Sequence, residues 1–401
     1  MDATAQHLGV RAAFTGDAGR FFRIALIGNL LQLPTFGFYR FWLITDIRRH
    51  LWSHTRIGGE AFEYTGRGRE LLIGFLIAMA ILTPLYTGYF LLSIEAERWR
   101  AFASLPLFLI IYVLMHYGTY RARRYRATRT IFRGVRLWMT GSGWAYAARA
   151  VLWDLLTILS LGLLLPWRES SLERYRMRHT YFGDLQGAFA GTGWTLFKRG
   201  WWLWLMAILP VVLAILLMVV FENSYGTLDR RRVMGILAFS MILWLPALFF
   251  GLPFYRAITT RWRLEGIRFG EFFLASNLRK RSVLWAYVKA MLIGGIVLSI
   301  GGIIVQVIAE SLGLSLEGLD QGGAPSVGVM ILIAGSYIVA LLVYAVVFLQ
   351  FITRGVWELT VNSVSVFNIA ALDAATARGM AAGSVGEGLA DALDFGGGIG
   401  V

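Results

Sequence analysis

Long apolar runs alternate with short, basic, glycine-punctuated stretches along nearly the whole of this 401-residue chain. Runs of roughly twenty apolar residues, the length that carries a helix across about 30 Å of hydrocarbon, lie at 70–92, 101–120, 201–221, 233–255, 287–309 and 328–351. Two further apolar stretches, 21–42 and 146–167, are broken by Gly28 and Pro34 in the first and by Gly162 and Pro166 in the second. They also belong to a repeat. Residues 21–69 superimpose without a gap on 146–194, matching Trp42 to Trp167, Arg49 to Arg174, His54 to His179, Gly66 to Gly191 and Gly68 to Gly193. A third copy at 119–145 places Arg124, Thr130, Gly141 and Gly143 in the same register, and diverged copies fall near 256–286 and 354–366. Such repetition reports architecture first, because each copy solves one local packing problem.

Within each copy a few β-prone residues surround a two-residue corner: Gly58-Gly59, Arg133-Gly134 and Gly183-Asp184, with Arg268-Phe269-Gly270-Glu271-Phe272 as a fourth. These corners supply the positive φ that tight hairpins need. One hairpin alone is marginal in water, so the pattern predicts several that pair into a small sheet on one membrane face.

Composition places the chain in a bilayer. It is 57% hydrophobic and only 15% charged, with a mean hydropathy of +0.62, which no ordinary soluble domain matches. There is no cysteine, which excludes disulfides, thiol chemistry and cysteine metal sites. No removable signal peptide is read in residues 1–20. The net charge of +14 raises nucleic acid as a partner, but 26 of the 38 Lys and Arg are banked in 40–69, 119–145, 168–200 and 256–286. Charge gathered between membrane segments follows the positive-inside rule, so membrane lipids are the expected partners and nucleic acid is not.

Eight successive crossings would put the basic loops 119–145 and 168–200 on opposite faces. The conflict disappears if 146–167 enters and leaves on one face, as a re-entrant or interfacial helical element, and its twin 21–42 does likewise. The expected fold is therefore an all-α polytopic membrane protein. It has six transmembrane helices, two half-membrane elements and small cytoplasmic β-hairpins, with both termini cytoplasmic. The membrane domain spans 1–366. A tail, 367–401, carries Glu387, Asp391 and Asp394 at helical spacing and is read either as a flexible tether whose acidic face docks on the basic sheet with Leu389 and Leu393 or as a disordered chain end.

The tract Phe36-Gly37-Phe38-Tyr39-Arg40-Phe41-Trp42, Arg48-Arg49, His54-Thr55-Arg56-Ile57-Gly58-Gly59 and Phe62-Glu63-Tyr64-Thr65-Gly66-Arg67-Gly68 resembles the YjgN family of bacterial inner-membrane proteins, as does the tail at 386–394. The resemblance implies an inner-membrane location and no established activity, so no catalytic residue is carried across.

Candidate chemistry is sparse. Ionisable or polar groups at membrane depth default to functional candidates, which selects Asp154 and its aligned partner Asn29, then Arg23 and Arg149. Gly-x-Gly runs straight into an apolar helix at Gly66 and Gly68, Gly141 and Gly143, and Gly191 and Gly193. With Arg49, Arg124 and Arg174 these form candidate contacts for anionic lipid, because open helix N-termini favour negative charge. His50 and His54 share a helical spacing but lack a third ligand, so no metal is expected, and no cofactor motif is present. No catalytic triad or carboxylate pair emerges. The reading is non-enzymatic transport or lipid handling, with a membrane scaffold working through its basic face as the rival.

Overall fold

The computed structural model describes residues 9–95, 105–226, 229–312, 326–379 and 381–393. The element order strand, helix, helix, strand occurs five times. The first unit is β1 (Val10–Phe14), α1 (Ala18–Gln32), α2 (Arg40–Ser53) and β2 (Thr55–Ile57). The second is β3 (Glu60–Tyr64), α3 (Gly68–Glu95), α4 (Leu105–Thr128) and β4 (Thr130–Phe132), and the third β5 (Val135–Met139), α5 (Gly143–Leu159), α6 (Leu165–Arg178) and β6 (Thr180–Phe182). The fourth is β7 (Leu185–Phe189), α7 (Gly193–Tyr225), α8 (Arg230–Gly266) and β8 (Ile267–Phe269). In the fifth, β9 (Phe272–Ser276) leads to α9 (Lys280–Ser311). The return is α10 (Val327–Val347), a π-helical turn (Phe348–Arg354) and α11 (Gly355–Asn362), followed by β10 (Val364–Phe367). A 3₁₀ turn (Ile369–Leu372) and a last helix, α12 (Val385–Ala392), complete the chain.

All ten strands close into one antiparallel barrel, each paired with its neighbours in sequence and β1 paired with β10. This corrects the all-α expectation: the hairpins do not make a small open sheet but a barrel, and closure removes the open edges that so short a sheet would expose. The two-residue corners behave as their composition demands, with φ of +62° and +87° at Gly58 and Gly59. Within units the paired residues Ala12 and Ile57, Phe62 and Phe132, Leu137 and Phe182, and Leu274 and Val366 belong to one apolar core. A backbone bond recurs within every unit. The carbonyls of His54, Arg129, His179, Gly266 and Ser363 accept from the N–H groups of Thr15, Thr65, Thr140, Ala190 and Asn277 at 2.9–3.0 Å.

Because every unit leaves and re-enters the barrel through its helices, the helices of the five units emerge from one barrel end and the hairpin turns mark the other. Five helices among the described residues are long and apolar enough to cross a membrane: Gly68–Leu92, Gly193–Ser224, Arg230–Gly266, Lys280–Ser311 and Val327–Asn362. Six were expected. The sixth stretch, 101–120, falls on α4, of which residues from Leu105 are described and which turns basic at Arg121, Arg123, Arg124 and Arg126, so it is not among the five found in the described residues. Asp394 of the tail lies outside the described residues.

The segments 21–42 and 146–167 each contain a chain reversal. α1 turns at 33–39 into α2 and α5 turns at 160–164 into α6, with Gly37 and Gly162 both at positive φ. The tips are apolar and bare: Phe36 is 93% exposed and Leu161 70%. A helix of 15 residues is about 22 Å long at 1.5 Å per residue, too short to cross the hydrocarbon.

Candidate functional site

The barrel is hollow. Its lumen holds a cavity of about 560 Å³ whose wall is almost wholly apolar, with Ile57, Phe62, Leu137, Phe182 and Phe269 facing inward from five strands. At the helix end Trp52 and Trp357 stack, 4.9 Å apart, and form part of the cavity wall. Each indole N–H is spent on a threonine hydroxyl, Trp52 on Thr130 and Trp357 on Thr55, both at 3.0 Å. At the turn end the chain after β10 crosses under the barrel. Asn368 donates to the carbonyl of Glu271 at 3.2 Å, Arg133 pairs with Asp373, and the N–H and hydroxyl of Thr376 bond the Asp184 carboxylate at 2.9 and 2.7 Å. The crossing is thereby pinned to three hairpin turns, and Leu372 is driven up into the core.

Charge surrounds the helix end of this apolar chamber. Arg123, which reaches the cavity wall, clasps the buried Glu173 through two bonds of 2.7 and 3.1 Å, and Arg176 approaches the same carboxylate at 3.2 Å. Burial alone would raise the Glu173 pKa, but these guanidiniums outweigh it and hold the group far below the usual carboxylate range. Glu169 is gripped by Arg168 and Arg263, each at 2.7 Å. Glu387 of α12 reaches Arg48 at 2.6 Å and Arg126 at 3.4 Å, and Arg48 also donates to the Tyr64 hydroxyl at 3.2 Å. Burial opposes ionisation of Glu387 too, and again the two arginines win and lower its pKa. His50 is pushed down to about 4 by burial and by the nearby charges of His54, Arg20 and Arg354, so it is neutral at pH 7.

The four intramembrane candidates are not brought together. Asp154 bonds the Tyr112 hydroxyl at 2.7 Å, lies 2.9 Å from His116 Nε2 and pairs with Arg168. Asn29 is buried, yet its amide donates to the carbonyl of Ala25 in its own helix and its oxygen accepts from Gln32. Arg23 is exposed on α1, and Arg149 lies over the Tyr175 ring at 4.8 Å.

The lipid candidates sit in separate units. Arg49 is exposed and bonds Asp46 and the carbonyl of Gly66, Arg124 is half-buried, and Arg174 is exposed on α6. The glycines serve close approach. A Cβ on Gly68 would stand 2.9 Å from Trp42 Cα, and one on Gly193 would stand 2.8 Å from Trp167 Cα. Gly66 and Gly191 face the rings of Tyr64 and Phe189, while Gly141 and Gly143 face His179 and Tyr117. Two of the three helix starts beyond them are already capped, α5 by Ser142 and α7 by a Thr192–Thr195 capping box. His54 and His179 also have local work. Each Nδ1 lies 2.7 Å from the carbonyl four residues back, which can only accept. Among the described residues no three His, Asp or Glu side chains gather as metal ligands would.

Sequence reasoning missed Arg48, Arg123, Glu173 and the two roofing tryptophans. A signal existed: Arg48, Arg123 and Glu173 occupy one repeat position, where a charge persists while its sign changes.

A barrel head carrying membrane-length helices and two short apolar hairpins defines a class of integral membrane protein. The chain belongs to the family described as bacterial protein of unknown function (DUF898), whose pattern matches residues 10–392. It is similar to inner membrane protein YjgN of Salmonella typhimurium, 25% identical over 123 residues, covering 30% of this chain and 29% of that protein. The same protein of Escherichia coli K12 is 24% identical over 123 residues, 31% of this chain and 29% of its own length. The matched stretch thus spans under a third of these relatives. No solved structure matches the chain.

Proposed function

We propose that this protein handles lipid without catalysing a reaction, by sheltering an apolar chain in the barrel lumen. The observation that carries the reading is the chamber itself: it falls within the size range of ligand sites and is apolar, and only the Trp52–Trp357 stack and the charge collar stand between it and the helix end. The charge collar supports an amphiphile, with Arg123 at the wall for its head and the phenylalanines for its tail. Neither Asn29 nor Asp154 reaches the chamber, so transport along a path between those two loses its support. The test is to purify the protein from membranes and identify retained lipids by mass spectrometry. Ala12 lines the lumen, and Ala12→Leu should expel the ligand while the protein stays folded. A lipid-free wild type would overturn the reading and leave the scaffold.

The inner membrane is the proposed location, with the barrel and both chain ends on the cytoplasmic side. The names of the relatives and the basic residues banked at the barrel end of the helices support this. Single cysteines replacing the exposed Gly59 and Arg174 should label from the cytoplasm, and one replacing Arg230 from the opposite face. Labelling of all three from one side would contradict the arrangement.

A further inference from the structure

The seam between α9 and the broken helix that returns from the membrane differs from every other helix pair. Seven residues, Phe348–Arg354, are wound as π-helix between α10 and α11, a local widening that recurs at functional sites. Two voids lie along this seam, of about 570 and 550 Å³, and both are bordered by Gln350 and Phe351. Along α9 the second void meets Ser282, Trp285 and Lys289 and the first meets Ile293 and Val297, so the two follow one another on successive turns.

Their chemistry differs sharply. The membrane-side void is walled by Phe22, Leu26 and Leu30 of α1 and by Ile293, Val297 and Val339, several of them exposed toward the bilayer. The barrel-side void is walled by Lys289, Gln350, Arg354 and Glu358. Arg354 bonds Glu358 and the carbonyl of Gly16, each at 3.0 Å, but its buried Nε has no partner. Gln350 donates to the carbonyl of Ala18 at 3.3 Å, while its buried Oε1 has none. Lys289 is exposed and forms no ion pair among the described residues. One void therefore presents an unused cation, an unused donor and an unused acceptor next to an apolar slot that opens sideways. Unpartnered buried polar atoms call for an explanation.

We propose that this seam binds one membrane glycerophospholipid, its acyl chain in the apolar slot and its phosphate held by Lys289 and Arg354 Nε. The Gln350 oxygen then accepts from a headgroup hydroxyl or ammonium, so the site prefers glycerol or ethanolamine headgroups and disfavours choline, which has no donor. This site is separate from the lumen and does not rest on it: Trp357 and Thr360 of α11 face the lumen, and Glu358 and Leu359 face the seam.

Delipidated full-length protein is mixed with phosphatidylglycerol, phosphatidylethanolamine or phosphatidylcholine, and bound lipid is counted by native mass spectrometry. Wild type should retain the first two over the third. Lys289→Gln, an exposed change that spares the core, should weaken retention about tenfold, the worth of a charge-assisted hydrogen bond. Gln350→Leu should abolish the headgroup preference, and Ala12→Leu should leave this lipid in place. Equal retention of all three headgroups by wild type, or no change in Lys289→Gln, overturns the proposal.

Discussion

The first and third units share a backbone plan and a gapless sequence register, yet they neutralise their buried charge in opposite ways. At one repeat position the first unit carries Arg48 and the third carries Glu173, both buried to within 2% exposure. Glu173 is answered from inside the ring, by Arg123 of α4 and by Arg176 one turn along its own helix. Arg48 is answered by Glu387, from the far end of the chain. To deliver that carboxylate α12 wedges beside α3 and α4, and its fit is tight: a Cβ on Gly388 would stand 1.9 Å from the backbone of Gly74. Leu389 packs with Ala78 and Leu82, and Asp391 pairs with Arg40 at 2.5 Å. The lesson is that the ring tolerates either sign at this position, provided some element supplies the other. Where the repeat supplies none, the tail does.

The largest expected effect separates these two solutions. Glu387→Gln strands Arg48 and Arg126, and removing one partner of a buried pair costs about 3–5 kcal/mol. Thermal unfolding in detergent should drop accordingly, and a cysteine at Ala392 should become more reactive as α12 detaches. In Glu173→Gln the loss should be similar, but α12 should stay seated. A double variant, Arg48→Met with Glu387→Met, should recover much of the loss, since apolar replacement of a buried pair is often neutral. The carboxylate pKa is lowered in the folded state, so its contribution is fully present above about pH 4.5 and fades as pH falls through the folded value. Tail release on acidification should therefore begin below that pH in wild type and vanish as a pH effect in Glu387→Gln.

Next in size are the matched glycines. Gly68→Ala and Gly193→Ala each press a methyl against the backbone of the tryptophan aligned with it, at 2.9 and 2.8 Å. Overpacking of this kind costs about 1–3 kcal/mol. Because the two units use these glycines identically, the two losses should agree, and a clear inequality would break the equivalence.

The smallest effect falls on the aligned polar pair. Asn29 satisfies itself within α1, so Asn29→Ala should cost about 1 kcal/mol or less. Asp154→Ala removes the partner of Arg168, Tyr112 and His116 together and should cost about 2 kcal/mol more than that, by the same comparison of unfolding temperatures.

Much of this was legible in the chain and some was not, for physical reasons. The corners at Gly58-Gly59 and Arg133-Gly134 announce hairpins because few residues accept positive φ there. The paired breakers Gly28 and Pro34, and Gly162 and Pro166, mark interrupted apolar stretches. Closure of the barrel was hidden, since β1 and β10 lie more than 350 residues apart and neither abuts a tight turn. Strands of three to five residues also carry too little alternation to reveal an inward face. The acidic spacing of Glu387 and Asp391 pointed to docking, but not to Arg48 and Arg40, because a contact so distant in sequence leaves no local pattern. Six spans were counted from hydropathy; of the sixth, 101–120, only the part from Leu105 is described, and α4 turns basic from Arg121.

The central claim, that the lumen shelters an apolar chain, is tested most directly by photocrosslinking. Purified protein would be loaded with a phospholipid carrying a diazirine at mid-chain, irradiated, digested and mapped. The account expects adducts on lumen residues such as Phe62, Leu137 and Phe182, and their loss in Ala12→Leu. Adducts confined to the outer faces of α3, α7 and α8, with none inside the barrel, would contradict it.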